Sequence, residues 1–101
     1  MTTKQRAYLK SIAMNTEPIF QCGKASITPE FVMAVSEALE KRELIKISVL
    51  QNCADNPKEL ASILSERTRS QVVQVIGKKI VLYKEARDEK NRKIVLPKAG
   101  K

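Results

Sequence analysis

The segment LIKISVL, residues 44–50, alternates without a break: Ile45, Ile47 and Val49 point one way, Lys46 and Ser48 the other. Strand side chains project to opposite faces with period two, so this run predicts a strand buried on one face only. The flanking punctuation is helical. Upstream, Thr28, Pro29 and Glu30 supply an N-cap, a first-turn proline and an acid favourable to the helix dipole. Phe31, Val32, Val35, Ala38 and Leu39 keep the helical period to about Arg42. Downstream, Asn56, Pro57 and Glu59 repeat the cap, the proline and a capping-box-like acid. Leu60, Ile63 and Leu64 then face inward until that helix runs out near RTRS. A half-buried strand between two helices hides its apolar face against them, which predicts a sheet whose other face stays substantially polar.

The remaining segments extend this pattern. A first helix is expected over residues 3–14, capped by Thr3, with Tyr8, Leu9, Ile12 and Ala13 at helical spacing and Lys4, Arg6 and Lys10 solvated. PIFQC, residues 18–22, reads as a short strand with Pro18 at its first position and Phe20 facing the core. QVVQVIG and KIVLYK form a hairpin around Gly77-Lys78. Beyond Lys84 the chain turns highly charged; residues 85–93 are expected to be mobile, with Ile94-Val95-Leu96 as a docking strand. The order α-β-α-β-α-β-β predicts a single compact α/β domain with a four-stranded mixed sheet over residues 1–97 and a tail at 98–101.

Charge narrows the function. Nineteen Lys plus Arg against eleven Asp plus Glu leave +8 on 101 residues. Such an excess favours a polyanionic partner, nucleic acid before an anionic membrane surface. The acids concentrate in residues 28–55 while both ends and 56–83 are net positive, which suggests one basic face. There is no histidine, and Cys22 and Cys53 stand far apart without a CxxC pair, so no metal site and no histidine-based catalysis is expected. No catalytic residue and no cofactor is assigned, and the two thiols are expected to be reduced and buried. No apolar run approaches the ~20 residues of a membrane helix. MTTKQRAYLK lacks the apolar core of a secretory signal, so a cytoplasmic location is expected.

Several of these segments together resemble one family. TKQRAYLKSIA, FQCGKASITPEFVMAVSEALEKRELIKISV and VVQVIGKKIVLYK are similar, in order and spacing, to the bacterial single-domain, YhbY-like members of the CRM family (chloroplast RNA splicing and ribosome maturation). The resemblance implies a KH-like RNA-binding module whose fold is similar to the C-terminal domain of translation initiation factor three. It also implies association with ribosomal RNA in precursors of the large ribosomal subunit.

In that family a GxxG loop after the first strand clamps the nucleotide backbone as in KH domains. Here it falls on Gly23, Lys24, Ala25 and Ser26, with serine in place of the second glycine. Read from the residues alone, Gly23 either turns the chain or lets the backbone approach something negative; the resemblance implies the second. Lys24 would neutralise a phosphate, and the Ser26 hydroxyl can donate to one. Lys78 and Lys79 at the hairpin tip, Arg6 and Lys10 on the first helix, and Lys84 complete the candidate RNA contacts. Tyr83 is a candidate base-stacking ring if Ile80 and Leu82 face the helices, although packing against a neighbouring strand or the tail fits it equally. Phe20 and Phe31 are expected in the core, so binding should rest on phosphates and RNA shape. The expected partner is RNA, bound by a monomer. A basic adaptor meeting an acidic protein is the competing reading.

Overall fold

The computed structural model describes residues 2–24, 27–53, 55–92 and 94–96. Helix α1 (Thr3–Ala13) is followed by β1 (Phe20–Cys22), α2 (Pro29–Arg42), β2 (Leu44–Val49), α3 (Pro57–Thr68), β3 (Gln71–Ile76) and β4 (Lys79–Tyr83). The predicted order is therefore the observed one. Local chemistry sets the helix starts. Thr28 Oγ1 accepts from Phe31 N at 3.1 Å and Asn56 Oδ1 from Lys58 N at 2.8 Å, each just before a proline that has no N–H to satisfy. The cap of α1 is Thr2, not Thr3. Thr2 Oγ1 accepts from Gln5 N, and Gln5 Oε1 accepts from Thr2 N, both at 3.1 Å. Such a reciprocal box needs Glu or Gln three residues after the cap, and Thr3 would meet Arg6 there.

The sheet order is β1-β2-β4-β3; β1 and β2 run parallel and the other two pairs antiparallel. Helices α2 and α3 cover one face, burying Val35, Leu39, Leu60 and Leu64 against Ile45, Ile47, Val49, Ile80 and Leu82. Cys22 belongs to this core, Cys53 packs on its margin, and the two are not joined in a disulfide. Ile63, expected inward, is 38% exposed: Leu60, Ala61, Leu64 and Thr68 set the inner stripe of α3 and leave Ile63 on its flank.

The second face departs from the sequence expectation. Leu44, Val81 and Tyr83 share it with Lys46 and Ser48, and α1 lays Leu9 and Ala13 over this apolar strip. A bulge between Val72 and Gln74 adds Val73 to the same cluster by setting two residues against Val81. Half of this face is thus covered and half is polar.

The C-terminal segment is also better tied than its composition suggests. Glu43, fully buried at 0% exposure and with φ of 65°, ends α2 and accepts from Ala86 N at 3.0 Å and Ile94 N at 2.9 Å through its two carboxylate oxygens. Its carbonyl accepts from Lys84 N at 2.9 Å. Glu40 accepts from Arg87 N at 2.9 Å and Asp88 N at 3.3 Å, and Arg92 Nε donates to Ala86 O at 2.8 Å. Residues 85–92, expected to be mobile, are therefore strapped to α2. Ile94 and Leu96 dock as expected, by packing against the α1 cluster, but without joining the sheet.

Two outcomes follow from this junction. Glu43→Gln keeps one acceptor oxygen and turns an amide toward the other N–H, so stability should fall by about 1–3 kcal/mol in urea or thermal melts; a variant as stable as wild type would remove Glu43 from its structural role. Burial, reinforced by the Glu43 and Glu85 carboxylates and opposed by Arg92, raises the Tyr83 hydroxyl above its ordinary value of 10.0. The unfolded chain then releases this proton first. The contribution is intact below pH about 10 and is lost as pH rises from there toward the folded-state value. Tyr83→Phe should flatten that part of the alkaline loss in melts recorded across pH.

Candidate nucleic-acid interface

Strand register gathers the predicted lysines. Because β1 and β2 are parallel, they end side by side, with Cys22 opposite Val49. Lys24 follows the first and residues 50–53 follow the second. Pairing of Ser48 with Lys79 brings the β3–β4 turn to this same end, where Val49 N donates to Lys78 O at 2.7 Å. Leu50 N donates to Cys22 O at 2.9 Å and closes the two loops on each other. Lys24, Lys78 and Lys79 thus crown one end of the sheet. Both α2 and α3 also begin there, with their dipoles' positive ends toward the crown. Ala25 and Ser26 lie outside the described residues.

The uncovered half of the second face adjoins this end. The pairings place Gln21, Ser48, Lys79 and Ile76 in one row across all four strands. Adjacent strands lie about 4.8 Å apart, so the row spans about 14 Å. Lys79 Nζ donates to Ser48 Oγ at 2.9 Å within it. A second row, Lys46, Val81 and Gln74, lies deeper, where α1 begins to cover the sheet. Gln21, Lys46, Ser48 and Gln74 were not among the candidate residues of the sequence. The alternation of β2 placed Lys46 and Ser48 on this face, but only pairing could add the two glutamines.

Other candidates are distributed less favourably. Of the two readings of Tyr83, the structure overturns base stacking and bears out packing against the tail: it is 4% exposed and clusters with Leu9, Ala13, Ile94 and Leu96. Lys84 stands beside it just past the far end of β4, about 16 Å along the chain from Lys79. There it lines an open hollow with Arg69, Gln71 and Glu85. Arg6 and Lys10 are both exposed on α1. Ile12 lines a hollow with Arg42, Leu44 and Ile94 at the head of β2. At about 100° per residue, Arg6 and Lys10 fall on the opposite flank, the one that looks toward Lys46 and Lys79.

Charge differs between elements, although Glu30 and Glu59 lie in the first turns of α2 and α3, at the crown end. Helices α2 and α3 carry Glu30, Glu37, Glu40, Glu59 and Glu66 against Lys41, Arg42, Lys58 and Arg67. The crown, the polar rows and the α1 flank carry lysine and arginine. A family model for the CRS1 / YhbY (CRM) domain matches residues 1–84. This chain belongs to that CRM family. The CRM domain here is 47% identical, over 96% of its length and 99% of the relative's, to the "Probable RNA-binding protein YqeI" of Bacillus subtilis. It is 30% identical, over 97% of its length and 96% of the relative's, to an "RNA-binding protein" of Haemophilus influenzae. The solution structure of the hypothetical protein SAV1595 from Staphylococcus aureus superposes on it with a TM-score of 0.77 at 50% identity, over 96% of this chain and 99% of that one.

Within this CRM domain Gly23 has no backbone need to be glycine. Among the described glycines only Gly77, at φ of 55°, occupies the left-handed region, as the hairpin turn requires. A Cβ on Gly23 would meet Leu50 Cδ1 at 3.4 Å and Asn52 Oδ1 at 3.5 Å, ordinary contact distances. Gly23→Ala should therefore change folding stability by less than about 1 kcal/mol in a thermal or urea melt. A larger loss would return Gly23 to a purely structural role.

Proposed function

We propose that this CRM domain is a non-catalytic RNA-binding protein that associates with ribosomal RNA in precursors of the large ribosomal subunit, acting as a cytoplasmic monomer. The observation that carries the RNA part is the convergence of Lys24, Lys78, Lys79 and Lys46 on one end and face of the sheet. The names of the relatives support the same ligand. Large-subunit precursors rest on the family resemblance. Phosphates docked at the crown would meet Lys24 and Lys78. Gly23, with no side chain and no conformational need for its identity, lets the backbone come close there. Nothing in this mechanism breaks a bond: affinity comes from neutralised phosphates and the counterions they release.

Binding should weaken steeply with salt, with a slope of log K on log salt of roughly −0.7 per phosphate contact on single strands. Lys24→Glu sets a negative charge beside phosphate at an exposed site; affinity should drop about tenfold, about 1.4 kcal/mol, with melting unchanged. If Lys24→Glu binds as wild type while Lys78→Glu and Lys79→Glu do not, the loop is excluded and RNA lies across the hairpin side. Cosedimentation with large-subunit precursors should disappear on ribonuclease treatment. Persistence after treatment would support the acidic-protein adaptor instead.

A further inference from the structure

The uncovered half-face specifies what kind of RNA the surface can hold. It is a floor of two rows beside α1, whose flank rises from the sheet as a wall carrying Arg6 and Lys10. Its polar side chains combine neutral groups that both donate and accept, Gln21, Ser48 and Gln74, with the cations Lys46 and Lys79; exposed Ile76 ends the first row and Val81, in the second, is buried in the α1 cluster. No aromatic ring belongs to it. The rings of Phe20 and Phe31 meet edge-on at 5.7 Å on the core side of the sheet, and Tyr83 is buried. Tyr8, 40% exposed, lies on the Ile12 flank of α1, away from the floor.

Unpaired bases held by a protein gain about 1–3 kcal/mol each from stacking on an aromatic side chain. This floor offers them no ring, whereas a duplex keeps its own stacking and needs only a polar surface. A-form RNA presents a wide, shallow minor groove lined with 2′-hydroxyls, each a donor and an acceptor, between two rows of phosphates. Amide and hydroxyl side chains spaced between lysines match that display.

From this match we infer that the ligand is base-paired RNA. The floor lies on its minor groove, with Gln21, Ser48 and Gln74 meeting 2′-hydroxyls and Lys46, Lys79 and the crown meeting the flanking phosphates. The inference rests on the RNA-binding reading and names its substrate class.

The test uses the full chain and three probes at one salt concentration: a loop-free RNA duplex, one of its strands chosen to be unstructured, and the DNA duplex of the same sequence. The RNA duplex should bind at least about tenfold tighter than either of the others, since single strands lack stacking partners and DNA lacks the 2′-hydroxyl. The double variant Gln21→Ala with Ser48→Ala, checked by thermal melt, should lose about tenfold on the RNA duplex and little on DNA, because only the ribose loses partners. Two arms guard against a misfolded variant: the wild-type comparison needs no substitution, and Gln74→Ala alone should narrow the same RNA-to-DNA ratio. Single-stranded RNA binding as tightly as the duplex, or equal losses on RNA and DNA duplexes, would overturn the inference and leave RNA binding standing. Failure of wild type to bind any RNA at low salt would overturn both.

Discussion

The pairing of β2 with β4 at the centre of the sheet is the constraint on which the rest depends. Its register, Leu44 opposite Tyr83 through Ser48 opposite Lys79, joins the parallel β1–β2 half to the hairpin. In that register Ile45, Ile47, Ile80 and Leu82 reach α2 and α3 together, while Leu44, Val81 and Tyr83 reach α1. A slip of one residue would move one strand's whole apolar set to the wrong face. The same slip would carry the hairpin tip away from Val49 and disperse the lysines of the crown. Core and candidate interface are thus consequences of one ladder.

The two ends of that ladder are finished differently. At the head of β2 the chain leaves α2 through Glu43, whose buried carboxylate is held by backbone N–H groups of the C-terminal segment. A charge taken out of water is tolerated when fixed donors replace its hydration. That strap closes the end where Tyr83 and Lys84 lie. The exposed ion pair of Arg92 with Glu85, at 3.8 Å, adds little by comparison. At the opposite end Lys24, after β1, and Lys78, at the hairpin tip, are presented to solvent. The molecule therefore has one end organised for its own stability and one available to a polyanion.

Much of this was legible in advance because it is local. The caps at Thr28 and Asn56, the prolines behind them, the alternation of β2 and the turn at Gly77 act within a few residues, and all appear where their chemistry predicts. Apart from the cap of α1, displaced by one residue, the larger departures fall where partners are distant in sequence. Alternation alone leaves Tyr83 open between an outward ring and one packed by the tail, since nothing near it announces that α1 and Leu96 return to cover it. Residues 85–92 look like a solvated charged tail because their donors are backbone groups, and the acids that accept from them, Glu40 and Glu43, lie more than forty positions upstream.

The sequence by itself determined the elements, their order, the excess of positive charge and the loop where a lysine follows a glycine. Those properties depend on periodicity, capping and composition, which neighbouring residues carry among themselves. The tertiary structure alone decided which lysines stand together and which polar side chains share the uncovered floor. It also decided which end of the sheet is sealed. Strand pairing and helix docking set these, through contacts between residues whose separation in sequence leaves no local trace.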